Sequence, residues 1–149
     1  MAIKYSEIAR EQNGIMTGTA PLKGKGGLAS GTVCIATSIV EIDGTKSIND
    51  VIHLVRLPKN AVIVPHLCRV SGAAMGTAFS VKIGTDVDGE QAAYSAALDI
   101  KAAHDVAFTG GVKLPVEHEA PYWVTATITA ATTPTNGAKT TVYIAYRIN

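Results

Sequence analysis

Residues 50–70 read DVIHLVRLPKNAVIVPHLCRV, two runs of aliphatic and β-branched residues joined by Leu57-Pro58-Lys59-Asn60. Such residues suit a pleated, half-buried surface, and Pro-Lys-Asn is turn chemistry. The stretch therefore predicts a strand, a turn and a second strand, with little room for a helix. Both runs are nearly continuous in apolar residues, the pattern of central strands covered on both faces. Pro65 interrupts the second run. Proline has no N–H to give to a ladder, so this strand is expected to be bulged there or to lie at an edge.

The same reading extends in both directions. Upstream, Val33, Ile35, Thr37 and Ile39 alternate with Thr32, Cys34, Ala36 and Ser38, and Asp43-Gly44 supplies a turn. Downstream, Phe79, Val81 and Ile83 alternate with Ser80 and Lys82 before a polar turn through Gly84, Asp86, Asp88 and Gly89. Tyr122, Val124, Ala126, Ile128 and Ala130 oppose Trp123, Thr125, Thr127 and Thr129. The turn Pro134-Thr135-Asn136-Gly137 then leads into Val142, Ile144, Tyr146 and Ile148, so the last two strands are expected to form a hairpin. Residues 90–104, EQAAYSAALDIKAAH, have helix-favouring composition, but Ala-rich segments between strands also serve as loops or extended edges, and both readings stand. Short strands parted by Gly, Pro and Asp, without repeated βα units, predict an all-β sandwich or barrel of about seven or eight strands.

The chain of 149 residues is an ordinary single-domain length. A formal net charge of +1 gives no field for electrostatic capture of nucleic acid or an anionic membrane. The longest apolar stretch is broken by Arg56, Lys59 and His66, short of the about 20 residues that cross a bilayer. The opening Met1-Ala2-Ile3-Lys4-Tyr5 carries no basic segment followed by an apolar core, so cytoplasmic synthesis is the expectation. Cys34 and Cys68 sit in apolar strand-like runs and read as buried thiols.

Residues 1–29 differ from the rest. Glycines 14, 18, 24, 26, 27 and 31 cluster there and at its border, and no apolar period is sustained. The division expected is a Gly-rich N-terminal arm, 1–29, and a β-sandwich domain, 30–149. Lys4, Arg10, Lys23 and Lys25 outnumber Glu7 and Glu11, making the arm mildly basic. Such an arm can order itself on a neighbour or wrap its own domain.

Chemical motifs fail at identifiable positions. Gly18 to Lys25 approximates a phosphate-binding loop but has one residue too many between its glycines, and Gly26 stands where Ser or Thr should ligate magnesium. Aligning Gly89 with the invariant glycine of a calcium loop puts Gly84 and Ser95 at essential ligand positions. His66 and Cys68 would share a face of a strand, yet two ligands are no metal site, and His104 and His118 could join only through the tertiary fold. Ser30 and Ser71 lack the Gly-x-Ser-x-Gly context of a nucleophile. Trp123 is expected to pack across the sandwich, with a surface recognition patch formed with Tyr122 as the alternative. No catalytic residue, cofactor or metal is expected.

The order of features resembles small virion structural proteins of tailed bacteriophages. The matching residues are Asp50, Val51, Ile52, Leu54, Arg56, Leu57, Pro58, Lys59, Ala61 and Ile63, then 81–86, and the closing strand Tyr143-Ile144-Ala145-Tyr146-Arg147. The resemblance implies a jelly-roll-like β-sandwich with an extended arm, acting without catalysis as a capsid decoration or cement protein on the virion exterior. It implies two partners, the major capsid protein and further copies of the chain, as a homotrimer at a symmetry axis. Lys4, Tyr5, Arg10, Lys23 and Lys25 of the arm are then the candidate contacts. A tail or head-to-tail connector component, and a carbohydrate-binding sandwich using Tyr122 and Trp123, are the alternatives.

Overall fold

The computed structural model describes residues 33–87, 91–112 and 117–148. The boundary of the expected arm, and all five of its candidate contacts, lie outside these residues. The described residues form nine strands and no α-helix: β1 (Val33–Glu41), β2 (Val51–Leu57), β3 (Ala61–Ile63), β4 (Arg69–Gly72), β5 (Gly76–Thr85), β6 (Ser95–Asp99), β7 (His104–Ala107), β8 (Tyr122–Pro134) and β9 (Lys139–Ile148).

The strands pack as two antiparallel sheets. One has the order β1-β9-β4-β7, with β3 also paired to β9, and the other β2-β8-β5-β6. Apart from the short β3, successive described strands alternate between the sheets except at β5–β6. The all-β sandwich expected from the sequence is thus present. Of the 90–104 stretch, the described residues 91–104 contain strand β6 and the start of β7 and no helix.

The turn after Leu57 does what its residues suggest, with a different result for pairing. Asn60 takes a left-handed φ of 61°, and the Ala61 N–H donates to the Pro58 carbonyl at 3.3 Å. Asparagine tolerates that region better than a β-branched residue would. The turn carries the chain from one sheet to the other, so β2 and β3 are not hydrogen-bonded to each other. Nor is β2 central. Among the described strands it lies at an edge and pairs only to β8, and Val51, His53 and Arg56 are exposed. Its nearly continuous apolar run hides a bulge between His53 and Val55, with Leu54 buried.

Residues 61–72 run along one side of β9, and Pro65 interrupts them as its chemistry requires. Ile63 pairs with Tyr146 and Arg69 with Tyr143, and between them Pro65–Leu67 forms a turn of 3-10 helix. The interruption is wider than a single-residue bulge, since proline both ends the ladder and opens the helical turn.

The last two strands are not a hairpin. β8 pairs with β2 and β5, while β9 pairs with β1, β3 and β4 in the opposite sheet. Pro134 closes β8, Gly137 takes φ 78°, and its N–H donates to the Ile42 carbonyl at 2.7 Å. The turn residues were read correctly, but they reverse the chain between layers instead of within one.

Between the sheets lies one apolar core, with Phe79, Ile83, Tyr122, Val124, Ile128 and Ile144 among its most buried side chains. Burying each such side chain contributes about 1.5–3 kcal/mol, which offsets the ordering of a chain with few local contacts. An apolar gap of about 20 Å³ remains at one end, lined by Val40, Ile42, Val70, Met75, Phe79 and Ile100 among others.

Candidate interaction surfaces

The polar groups inside the sandwich are structural. The Tyr122 hydroxyl donates to the Ala61 carbonyl at 3.0 Å, and Tyr94 lies close enough for the two phenols to interact. Burial pushes both phenols up from their ordinary pKa. The Cys68 thiol is raised to about 11, chiefly by burial, and is held between the Val64 carbonyl at 3.4 Å and the Ala145 N–H at 3.2 Å. All three shifts run upward, away from the range of a thiol or phenol poised to ionise near pH 7.

The metal-like spacing of His66 and Cys68 does not survive folding. His66 is exposed on the 3-10 turn and Cys68 is buried, so they share no face. Among the described residues no group of three His, Cys, Asp or Glu side chains could hold a metal ion. His104 instead contacts Thr140 Oγ1 at 2.8 Å and the Ala102 carbonyl at 2.9 Å, and His118 packs against Tyr122 with ring centroids 4.2 Å apart.

Trp123 departs from expectation. Tyr122 has the same parity as Val124 and Ile128 and takes the core position, so its neighbour must point outward. Trp123 lies half-buried on the outer face of the β2-β8-β5-β6 sheet, tilted against His53 at a centroid distance of 5.1 Å. Beside it on β8, Thr125 and Thr127 are buried although they share the outward parity. Thr127 sits in register between Val51 and Lys82.

The other outer face is more unusual. In β1 the inward positions are Cys34, Ala36, Ser38 and Val40, and the bulky residues point out. Val33 is 43 % exposed, Ile35 64 % and Ile39 66 %. Their alternation was apparent in the sequence, but hydropathy would have buried this face. On the inner face Ala36 and Ser38 lie beside Ile144 and Val142 of β9. Across the same outer face, Arg69 bonds Asp105 at 2.7 Å and Lys139 meets Glu41 at 3.5 Å. Both pairs are solvent-exposed and contribute little stability.

No protein-family model and no curated protein matches the chain. Solved structures do match its fold. A chain from the capsid of Ralstonia phage GP4 aligns with a TM-score of 0.64 at 18 % identity, covering 80 % of this chain and 86 % of that one. A chain from the cyanophage Pam1 capsid asymmetric unit aligns with a TM-score of 0.63 at 17 % identity, covering 87 % and 91 %. The acidic stable capsid of Helicobacter pylori bacteriophage KHP30 supplies a third, with a TM-score of 0.52 at 19 % identity, covering 78 % and 88 %. At these identities the likeness is one of fold: the chain has the sandwich architecture of chains found in phage capsids.

Proposed function

We propose that this chain is a non-enzymatic structural protein of a tailed-phage virion, placed on the capsid exterior, where it cements the shell by bridging neighbouring major capsid subunits. The observation that carries this reading is the extent of the structural match. It takes in 86 % of the GP4 chain and 91 % of the Pam1 chain, so those capsid chains are close to this one in size and consist of this sandwich almost end to end. The residue pattern at 50–63 and 81–86 points to the same class of protein. The interior tyrosines and thiol, held neutral by burial, add no chemistry that a structural role leaves unused.

With a net charge of +1, attachment relies on complementary surface more than on long-range attraction. Many copies on one shell make modest affinity per copy sufficient. In this reading the protein acts as a homotrimer at a symmetry axis, and Lys4, Tyr5, Arg10, Lys23 and Lys25 contact the capsid or a neighbouring copy. The test is a comparison of capsids assembled with and without the protein. Capsids lacking it are expected to lose their contents at lower temperature and lower salt, and adding purified protein is expected to restore them. Unchanged resistance, or failure of the protein to co-sediment with capsids, would overturn the proposal.

A further inference from the structure

The gap between the sheets has a single chemistry. It is lined from the first sheet by Val40 and Val70, from the second by Ile52 and Phe79, and from the loops after β4 and β6 by Met75 and Ile100. Thr140 is the only polar residue of the lining, and its hydroxyl is already engaged, 2.8 Å from His104 Nε2 and 3.2 Å from the Ser71 carbonyl. No polar atom is presented to the space. Its volume of about 20 Å³ exceeds the roughly 10–15 Å³ that one water needs, so size would admit water. The lining refuses it, because a water there would give up its hydrogen bonds for none. Val40 and Ile52 are half-buried while the rest of the lining is buried, so the wall is thinnest between β1 and β2.

We infer that this gap is a binding site for one small apolar solute, of the size of xenon or methane. Around an empty space the lining atoms lack dispersion partners on one side. An apolar guest restores those contacts and breaks no hydrogen bond in doing so. The volume sets the upper limit, since it is far below the about 150 Å³ of a cavity that admits benzene. Met75, unbranched and polarizable, can adjust its side chain to the guest. Because the lining comes from both sheets, the site exists only while the sandwich is closed. A guest therefore binds the native state and not the unfolded chain, and stabilises the fold by mass action.

The site is independent of the virion role. It is built from side chains inside one copy and uses no surface that a partner would cover, so its success or failure leaves the cementing reading untouched.

The test is methyl-resolved NMR of the purified full chain under increasing xenon pressure, against the same pressure of helium. The methyl resonances of Val70, Met75 and Ile100 are expected to shift and saturate. Those of Leu57 and Val62, buried but outside the lining, and of exposed Ile35 are expected to show only a small linear drift. Val70→Ile adds one methylene to the wall and is expected to abolish the saturable shift. Ala126→Val fills the space from the opposite sheet and serves if the first variant does not fold, which circular dichroism checks. The melting temperature of the wild type is expected to rise with xenon, and that of a filled variant to stay where it is. No saturable shift at Val70, Met75 and Ile100, equal shifts at Leu57 and Val62, or a shift that survives in a folded, filled variant would overturn the site.

Discussion

The hydroxyl of Tyr122 donates to the carbonyl of Ala61 across 3.0 Å, tying the first residue of β8 in one sheet to the first residue of β3 in the other. Both residues are buried, so neither group has water to fall back on. Tyr122→Phe removes the hydroxyl while keeping the ring. It is expected to cost about 1–2 kcal/mol, whereas Tyr122→Ala also leaves a cavity and is expected to cost about 3–5 kcal/mol. Urea unfolding followed by circular dichroism measures both. Equal midpoints for wild type and Tyr122→Phe would show that the inter-sheet bond contributes nothing net.

Trp123, the next residue, should behave differently. It lies half-buried against His53 outside the core, so Trp123→Ala is expected to cost only about 1 kcal/mol. In a double-mutant cycle with His53→Ala the coupling should be near 0.5–1 kcal/mol, roughly the scale of a tilted aromatic pair. A cost matching that of Tyr122→Ala would place Trp123 in the core after all.

Gly72 is where backbone approach leaves no room. A Cβ there would stand 2.6 Å from the Lys139 carbonyl oxygen and 2.7 Å from Thr140 Cα, both backbone atoms of β9. Gly72→Ala must push β4 off its partner and is expected to cost about 1–3 kcal/mol. Gly44→Ala serves as the control, since nothing lies within 4 Å of the added methyl. Thermal melts should show a clear drop for the first and almost none for the second.

Stability is expected to fall in alkali. The Cys68 thiol is raised from 9.0 to about 11, so between those values the unfolded chain loses a proton that the native chain keeps. Its contribution is fully present below pH 9 and lost as pH rises through about 11, a change of roughly 2–3 kcal/mol at most. Tyr94 and Tyr122, also raised by burial, act in the same direction at higher pH. Urea midpoints across this range should decline, and Cys68→Ala should remove the earliest part of the decline. A flat profile would mean that the thiol ionises equally easily in both states.

What the sequence conveyed was parity; what it withheld was partnership. Alternation at 79–83 and 122–128 assigned Phe79, Ile83, Tyr122, Val124 and Ile128 to one face each, and all are buried. Which strand lies beside which depends on contacts far apart in the chain, so the adjacent β8 and β9 looked like a hairpin although they belong to opposite sheets. Residues 51–57 looked central because a bulge at His53 disguised an edge strand as an unbroken run. The outward row of β1 could not be recognised from hydropathy, because an exposed apolar row alternates along a strand just as a buried one does. The arm contacts had no pattern of their own, and their assignment came from charge and resemblance alone.

Among the described strands, the last in the chain is the one on which the first depends. β9 spans Lys139–Ile148 and is the ladder partner of β1, β3 and β4, so the sheet carrying β1 has no spine until those residues have been made. Contacts of such separation close slowly, on the order of milliseconds to seconds. Until then the nascent chain carries the Val33, Ile35 and Ile39 row with neither edge of β1 covered by β9. The hazard is greatest on polysomes, where unfinished copies crowd together. Removing β9, or stalling synthesis before residue 139, is the change that would turn this protein from a folded sandwich into an aggregate.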